Sequence, residues 1–91
     1  MKYVVKLVST ATENNVRCLG EVQTWYIGKG GYVYNNLKYA DGWSRRHFAE
    51  KYIREDISNR EYFGKGKPVF WKNEYTIVEV PESGKGADIW K

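Results

Sequence analysis

Alternating apolar and polar positions predict β-strands along much of this chain. In residues 3–8 the side chains of Tyr3, Val5 and Leu7 fall on one side of an extended backbone, and β-branched and aromatic residues are frequent there. Residues 28–31 are glycine-rich and have the length of a hairpin loop. The strands predicted in this way are residues 3–8, 22–27, 31–34, 69–71 and 75–80, with a turn at residues 72–74 between the last two.

Residues 44–59 follow a helical period instead. Ser44 is of the type that caps helix N-termini, and Ser58 and Asn59 are a plausible end. An amphipathic helix must bury its apolar stripe, and an antiparallel sheet offers a large apolar face for it. We therefore predict an α+β fold, with one α-helix packed on one face of an antiparallel β-sheet of four to five strands. The stripe consists of Phe48, Ala49, Tyr52, Ile53 and Ile57.

Length and composition favour a single domain. A chain of 91 residues is too short to form two adequate cores, and 42% apolar and 16% aromatic residues suffice for one. We predict that residues 1–82 form this domain and that residues 83–91, which are rich in glycine and charge, form a flexible tail.

Charge and cysteine content further limit the possible classes of protein and of binding partner. A net charge of +4 and a pI near 9.2 permit contact with nucleic acid or with an acidic surface. The single cysteine, Cys18, excludes a disulfide framework within one chain and a zinc site built from cysteines. No stretch has the length of a transmembrane helix, and the N-terminal residues do not fit a signal peptide. We therefore expect a cytoplasmic location and no membrane partner.

The residues that usually perform catalysis are sparse. His47 is the sole histidine and lies in the first turn of the predicted helix, without a pattern that supplies an orienting carboxylate or a nucleophile. Cys18 is best interpreted as a buried small hydrophobe. Glu55 and Asp56 are adjacent on the helix, so their carboxylates diverge. We expect no enzymatic activity, no catalytic residues, no cofactor and no metal site.

Three segments resemble small uncharacterised proteins of bacteriophages and mobile elements. They are Ala-Asp-Gly-Trp-Ser at residues 40–44, Ala-Glu-Lys-Tyr-Ile at residues 49–53 and Tyr-Thr-Ile-Val-Glu-Val at residues 75–80. The resemblance implies a module of strands with one helix and a closing strand. It implies no enzyme activity and assigns no functional residue.

Positive and aromatic residues mark three candidate binding surfaces. At the helix start, Arg45 and Arg46 oppose the helix dipole, so they either meet a phosphate or acidic partner, pair with a carboxylate such as Asp41, or are simply solvated. The hairpin at residues 25–34 and the loop at residues 62–71 each combine lysines with aromatic side chains that either stack on bases or pack in the core. The candidate residues for nucleic-acid or partner binding are Lys29, Tyr32, Tyr34, Lys38, Arg45, Arg46, Lys65, Lys67 and Trp71.

These features favour a small non-enzymatic binding module that contacts nucleic acid through its lysine, arginine and aromatic surface. The alternative is a protein–protein interaction module, such as a phage-type accessory protein or an inhibitor of a host enzyme, anchored by the same aromatic residues. The sequence leaves open the identity of the partner and the oligomeric state, including self-association through an edge strand.

Overall fold

Four antiparallel strands form one sheet in the computed structural model, which describes residues 1–80. In chain order they are β1 (Lys2–Ala11), β2 (Val22–Ile27), β3 (Val33–Tyr34) and β4 (Trp71–Val80), arranged across the sheet as β3-β2-β1-β4. The one α-helix among these residues, α1 (Arg46–Gly64), packs on one face of this sheet. The α+β prediction is confirmed, with four strands. The predicted tail at residues 83–91 lies outside the described residues.

The core lies between α1 and the two central strands. Val5 and Leu7 of β1, Ile27 of β2 and Ala49 of α1 are buried there, because alternate residues of each strand face the helix. The predicted strand face of Tyr3, Val5 and Leu7 is confirmed. Partly buried side chains surround this cluster, namely Tyr3, Trp25, Trp43, Tyr52, Ile53, Tyr75 and Ile77.

The helix begins and ends later than the sequence pattern predicts. Arg45, not Ser44, is the N-cap residue, and its side chain makes no capping hydrogen bond. The helix continues past Asn59, where the guanidinium Nε of Arg60 donates a 2.8 Å hydrogen bond to Asp56 one turn earlier. The predicted ends at residues 44 and 59 are therefore wrong. As a consequence, the exposed rings of Tyr62 and Phe63 belong to the last helical turn.

The predicted turn at residues 72–74 is wrong, because β4 runs through it without a break. β1 is longer than predicted, so that Thr10 pairs with Lys72 and Ala11 with Trp71. The hydroxyl of Ser9 donates a 2.7 Å hydrogen bond to the side-chain oxygen of Asn73. Pairing with β1 thus holds a polar tripeptide in extended conformation, although its composition is typical of a turn.

The hairpin loop is tied to the segment that precedes α1. β2 has the predicted bounds, but residues 29–31 form a 3₁₀ turn and β3 is only two residues long. The backbone N–H of Lys29 donates a 2.7 Å hydrogen bond to the carbonyl of Asp41. A Cβ atom at Gly28 would lie 2.1 Å from that same carbonyl oxygen, so only glycine fits here. Trp43 then pairs with Tyr3 beside β1, which fixes where the helix starts.

Candidate functional site

The structure separates the candidate residues into two groups at opposite ends of α1. We call the region around Arg45 and the turn at residues 28–31 the N-cap end, and the region of residues 62–71 the C-cap end. A helix of 19 residues is about 28 Å long, so one ligand side chain cannot bridge the two ends. The candidates Lys29, Tyr32, Tyr34, Lys38, Arg45 and Arg46 belong to the first group, and Lys65, Lys67 and Trp71 to the second.

An aromatic recess of about 320 Å³ lies at the N-cap end, between α1 and the hairpin loop. The rings of Trp43 and Tyr52 are 5.5 Å apart and inclined by 37°. Phe48, one helical turn before Tyr52, is 44% exposed. A Cβ at Gly31 would be 3.7 Å from the Tyr52 ring, so the glycine backbone lines the opposite wall. The complete lining is Gly30, Gly31, Trp43, Phe48, Lys51, Tyr52 and Glu55.

Lys29 and Arg45 bring exposed positive charge to this end. Among residues 1–80 neither side chain has an ion-pair partner. The Asp41 carboxylate lies 3.8 Å from the Lys2 ammonium, so the proposed pairing of the helix arginines with Asp41 is not what the structure has. Arg46 instead pairs with Glu50 at 3.2 Å on the helix surface. Lys29, Lys38 and Arg45 are therefore the charges of this group that form no ion pair among residues 1–80.

A second, smaller recess continues along the helix. It has a volume of about 220 Å³ and shares Tyr52 with the first, while Trp25 and Val33 form part of its wall. It exists because α1 packs over β1 and β4, which leaves the β2–β3 side of the same sheet face open. Burial raises the pKa of the Tyr52 hydroxyl, with a further contribution from the nearby charge of Asp56. Tyr52 therefore presents a neutral hydroxyl to both recesses at physiological pH.

Tyr32 and Tyr34 lie beside the recess but do not line it. Tyr32 follows the hairpin turn and is 70% exposed, whereas Tyr34 pairs with Tyr26 across the sheet. Tyr26 in turn pairs with Lys6, which places a tyrosine–tyrosine–lysine row on the sheet face opposite the core residues. The alternative to base stacking was core or cross-strand packing, and cross-strand packing holds for Tyr34, which is partly buried and opposes Tyr26. Tyr32 is exposed, and neither tyrosine belongs to the core cluster.

Lys38 lies in the 3₁₀ turn Leu37–Tyr39, where its backbone N–H donates to the side chain of Asn36. The Lys38 ammonium is 5.6 Å from the centre of the Tyr39 ring, a cation–π distance. Its exposed side chain adds positive charge on the segment between β3 and α1.

The C-cap end carries a wider groove of about 600 Å³. Phe63 is 70% exposed and Val69 is 61% exposed, which is unusual for large apolar side chains that lie side by side. Lys65 and Lys67 occupy the turn beside it, and among the described residues they have no ion-pair partner. The groove is lined by Arg60, Glu61, Phe63, Gly64, Pro68, Val69, Phe70, Trp71 and Asn73.

Three titratable side chains, Asp56, Tyr75 and Arg60, are joined by hydrogen bonds where α1 packs on the sheet. The hydroxyl of Tyr75 donates a short hydrogen bond to Asp56, which also accepts from Arg60. Burial and this bond together raise the pKa of Tyr75 to about 12. His47 is exposed with its ring 4.2 Å from that of Phe48. The hydrogen bond of Asp56 with Tyr75 joins the helix to the sheet.

Cys18 is partly exposed, so the prediction that it is buried is wrong. It lies in the 3₁₀ turn Val16–Cys18, and a hydrogen bond with Glu21 raises the pKa of its thiol. Within residues 1–80, no group of three or more His, Cys, Asp or Glu side chains could hold a metal ion. The same residues contain no helix with both the length and the apolar character that crossing a membrane requires.

Sequence reasoning missed the residues that form the recess. Phe48 and Tyr52 were assigned to the buried stripe of the helix, and Trp43 was not considered as a site residue. The available signal was the width of the stripe, since Phe48 and Ile57 lie at its flanks and are exposed in the structure.

No protein-family model matches the sequence, and no curated protein or solved structure is significantly similar to it. The class of the protein is therefore defined by its fold, a four-stranded antiparallel α+β domain with one helix.

Proposed function

We propose that this protein is a non-enzymatic module that binds single-stranded nucleic acid at its N-cap end. The observation that carries the proposal is an aromatic recess whose lining includes Gly30 and Trp43. Two exposed cations, Lys29 and Arg45, lie one and two residues from these positions along the chain and have no ion-pair partner among residues 1–80. Proteins that bind single strands combine aromatic surfaces for the bases with positive charge for the backbone.

The recess supports stacking of a base. Phe48 is 44% exposed and lines the recess together with Trp43 and Tyr52, whose rings are 5.5 Å apart. A volume of about 320 Å³ is at the lower end of the range for small-molecule sites, which suits one base and not a folded partner. The exposed ring of Tyr32 offers a further stacking surface on the neighbouring hairpin.

The charge arrangement supports contact with phosphate. Arg45 precedes a helix whose first turn contains no acidic residue. Free backbone N–H groups at a helix start favour anions, and so does the helix dipole. Lys29 and Lys38 extend the positive surface on the hairpin side. The positive charges of Arg45 and Arg46 lie unfavourably at the positive end of the helix dipole. A phosphate between these arginines and the helix N-terminus would offset this repulsion.

The proposal is tested by two matched pairs of substitutions in the full chain. We expect Lys29→Ala with Arg45→Ala to weaken binding of a short single-stranded oligonucleotide and to reduce the slope of log affinity against log salt by about 1.4, as expected for two lost phosphate contacts. Lys65→Ala with Lys67→Ala removes the same charge at the C-cap end and should leave the slope unchanged. Equal losses from the two pairs, or no measurable binding by the unsubstituted protein at low salt, would refute the proposal.

A protein-interaction module, of the phage accessory or host-inhibitor kind, is the second candidate. It is favoured by the exposed apolar residues at the C-cap end, because large contiguous apolar patches commonly mark protein interfaces. Binding that is anchored by aromatic residues would change little with salt, whereas binding to nucleic acid falls steeply.

A further inference from the structure

Among residues 1–80, β4 is an outermost strand of the sheet and its outer edge pairs with no strand. It pairs with β1 through ten successive residues, from Lys2 with Val80 to Ala11 with Trp71, without a bulge. No described strand lies on its other side. Edge strands of monomers are usually short, bulged or interrupted by proline, and β4 has none of these features.

The backbone groups that point outward from β4 can be identified. The N–H of Thr12 donates to the carbonyl of Phe70, so Phe70 faces β1. Because successive residues of a strand alternate the direction of their backbone groups, the odd-numbered residues of β4 direct theirs away from β1. These residues are Trp71, Asn73, Tyr75, Ile77 and Glu79.

The apolar groove of the C-cap end opens beside the same strand. Trp71 and Asn73 line it together with Phe63 and Val69. An element that added to the edge near Asn73 would therefore also cover exposed apolar surface, and removing such surface from water favours association.

We propose that β4 pairs antiparallel with β4 of a second copy of this chain, about a two-fold axis at Asn73. In this register residues 71–75 of the two copies oppose each other. Asn73 meets the partner copy's same residue once, on the axis, whereas the pairs Trp71 with Tyr75 and Lys72 with Glu74 each occur twice by symmetry. Lys72 and Glu74 are exposed, and within one chain the Lys72 ammonium lies 4.0 Å from the Glu74 carboxylate. In the proposed register Lys72 of each copy faces Glu74 of the other copy, so opposite charges meet across the interface. The two grooves face each other across the axis, and the sheet continues through eight strands.

The test is sedimentation equilibrium of the full chain and of charge variants. We expect the unsubstituted protein to dimerise. We expect Lys72→Glu to weaken the dimer about tenfold, because the new glutamate of each copy would then face Glu74 of the other copy. The double variant Lys72→Glu with Glu74→Lys should restore the affinity. Lys65→Glu makes the same charge change on a residue outside the pairing and should leave the affinity unchanged.

Other outcomes overturn the proposal. A protein that remains monomeric at all concentrations does not use this edge for a second copy, and the groove then belongs to a different partner. A dimer that responds equally to Lys72→Glu and Lys65→Glu is formed elsewhere or in another register. Because both substituted lysines are exposed, loss of folding is not expected, and circular dichroism of each variant checks this.

Discussion

Asp56 joins the helix to the sheet through two side-chain hydrogen bonds. Tyr75 of β4 donates to it from the sheet, and Arg60 donates to it from the next turn of the helix. The neighbouring Glu55 points elsewhere and pairs with Lys51 at 3.9 Å, which agrees with the divergence predicted from adjacent helical positions. The bond to Tyr75 was not predictable from sequence, because it depends on where the helix crosses the sheet.

The raised pKa of Tyr75 predicts a loss of stability at alkaline pH. Its pKa is about 12 in the folded protein and 10 when unperturbed, so the stabilisation is complete below pH 10 and is lost as pH rises through 12. We expect the free energy of unfolding of Tyr75→Phe to fall less steeply across this window, and to be lower by about 1 kcal/mol at neutral pH. Denaturant titrations at several pH values measure both effects. Tyr62→Phe, at a residue that is 75% exposed, is the control, and identical pH profiles for both variants would contradict the assignment.

At the scale of elements, the local sequence pattern predicts the bounds of a strand or helix correctly where tertiary contacts reinforce that pattern. β2 has its predicted bounds because its alternation coincides with its pairing to β1. The pattern failed at residues 72–74, where a polar tripeptide is held extended by pairing with a distant strand. It also failed at the helix start, because Ser44 has the preferred side chain for an N-cap but the backbone places Arg45 there.

At Arg45 the effect on protein stability and the proposed role in ligand binding can therefore be measured separately. Replacing it with serine supplies the missing N-cap hydrogen bond, so we expect Arg45→Ser to stabilise the protein by about 0.5–1 kcal/mol in denaturant unfolding. The same substitution should weaken oligonucleotide binding, because it removes a phosphate contact. Ser44→Ala, at a position that does not cap the helix, should change neither quantity. A stabilised variant that binds as well as the unsubstituted protein would show that Arg45 does not contact the ligand.

At the scale of the whole molecule, the helix separates two surfaces of different character. Among residues 1–80, the N-cap end combines an aromatic recess with cations that form no ion pair, and the C-cap end combines an apolar groove with a strand edge that no described strand covers. The fold class was predictable because hydrophobic periods are local. The division of the candidate residues between the two ends of α1 was not predictable, because the distance from Lys29 or Arg45 to Lys65 depends on strand order and helix placement.

The most direct test of the central proposal is an NMR titration of isotopically labelled protein with short single-stranded DNA and RNA at low salt. We predict amide shifts in residues 29–32 and 43–52, little change in residues 62–71, and loss of the shifts as salt approaches physiological concentration. An absence of shifts at the N-cap end at low salt, or shifts confined to residues 62–71, would contradict the account.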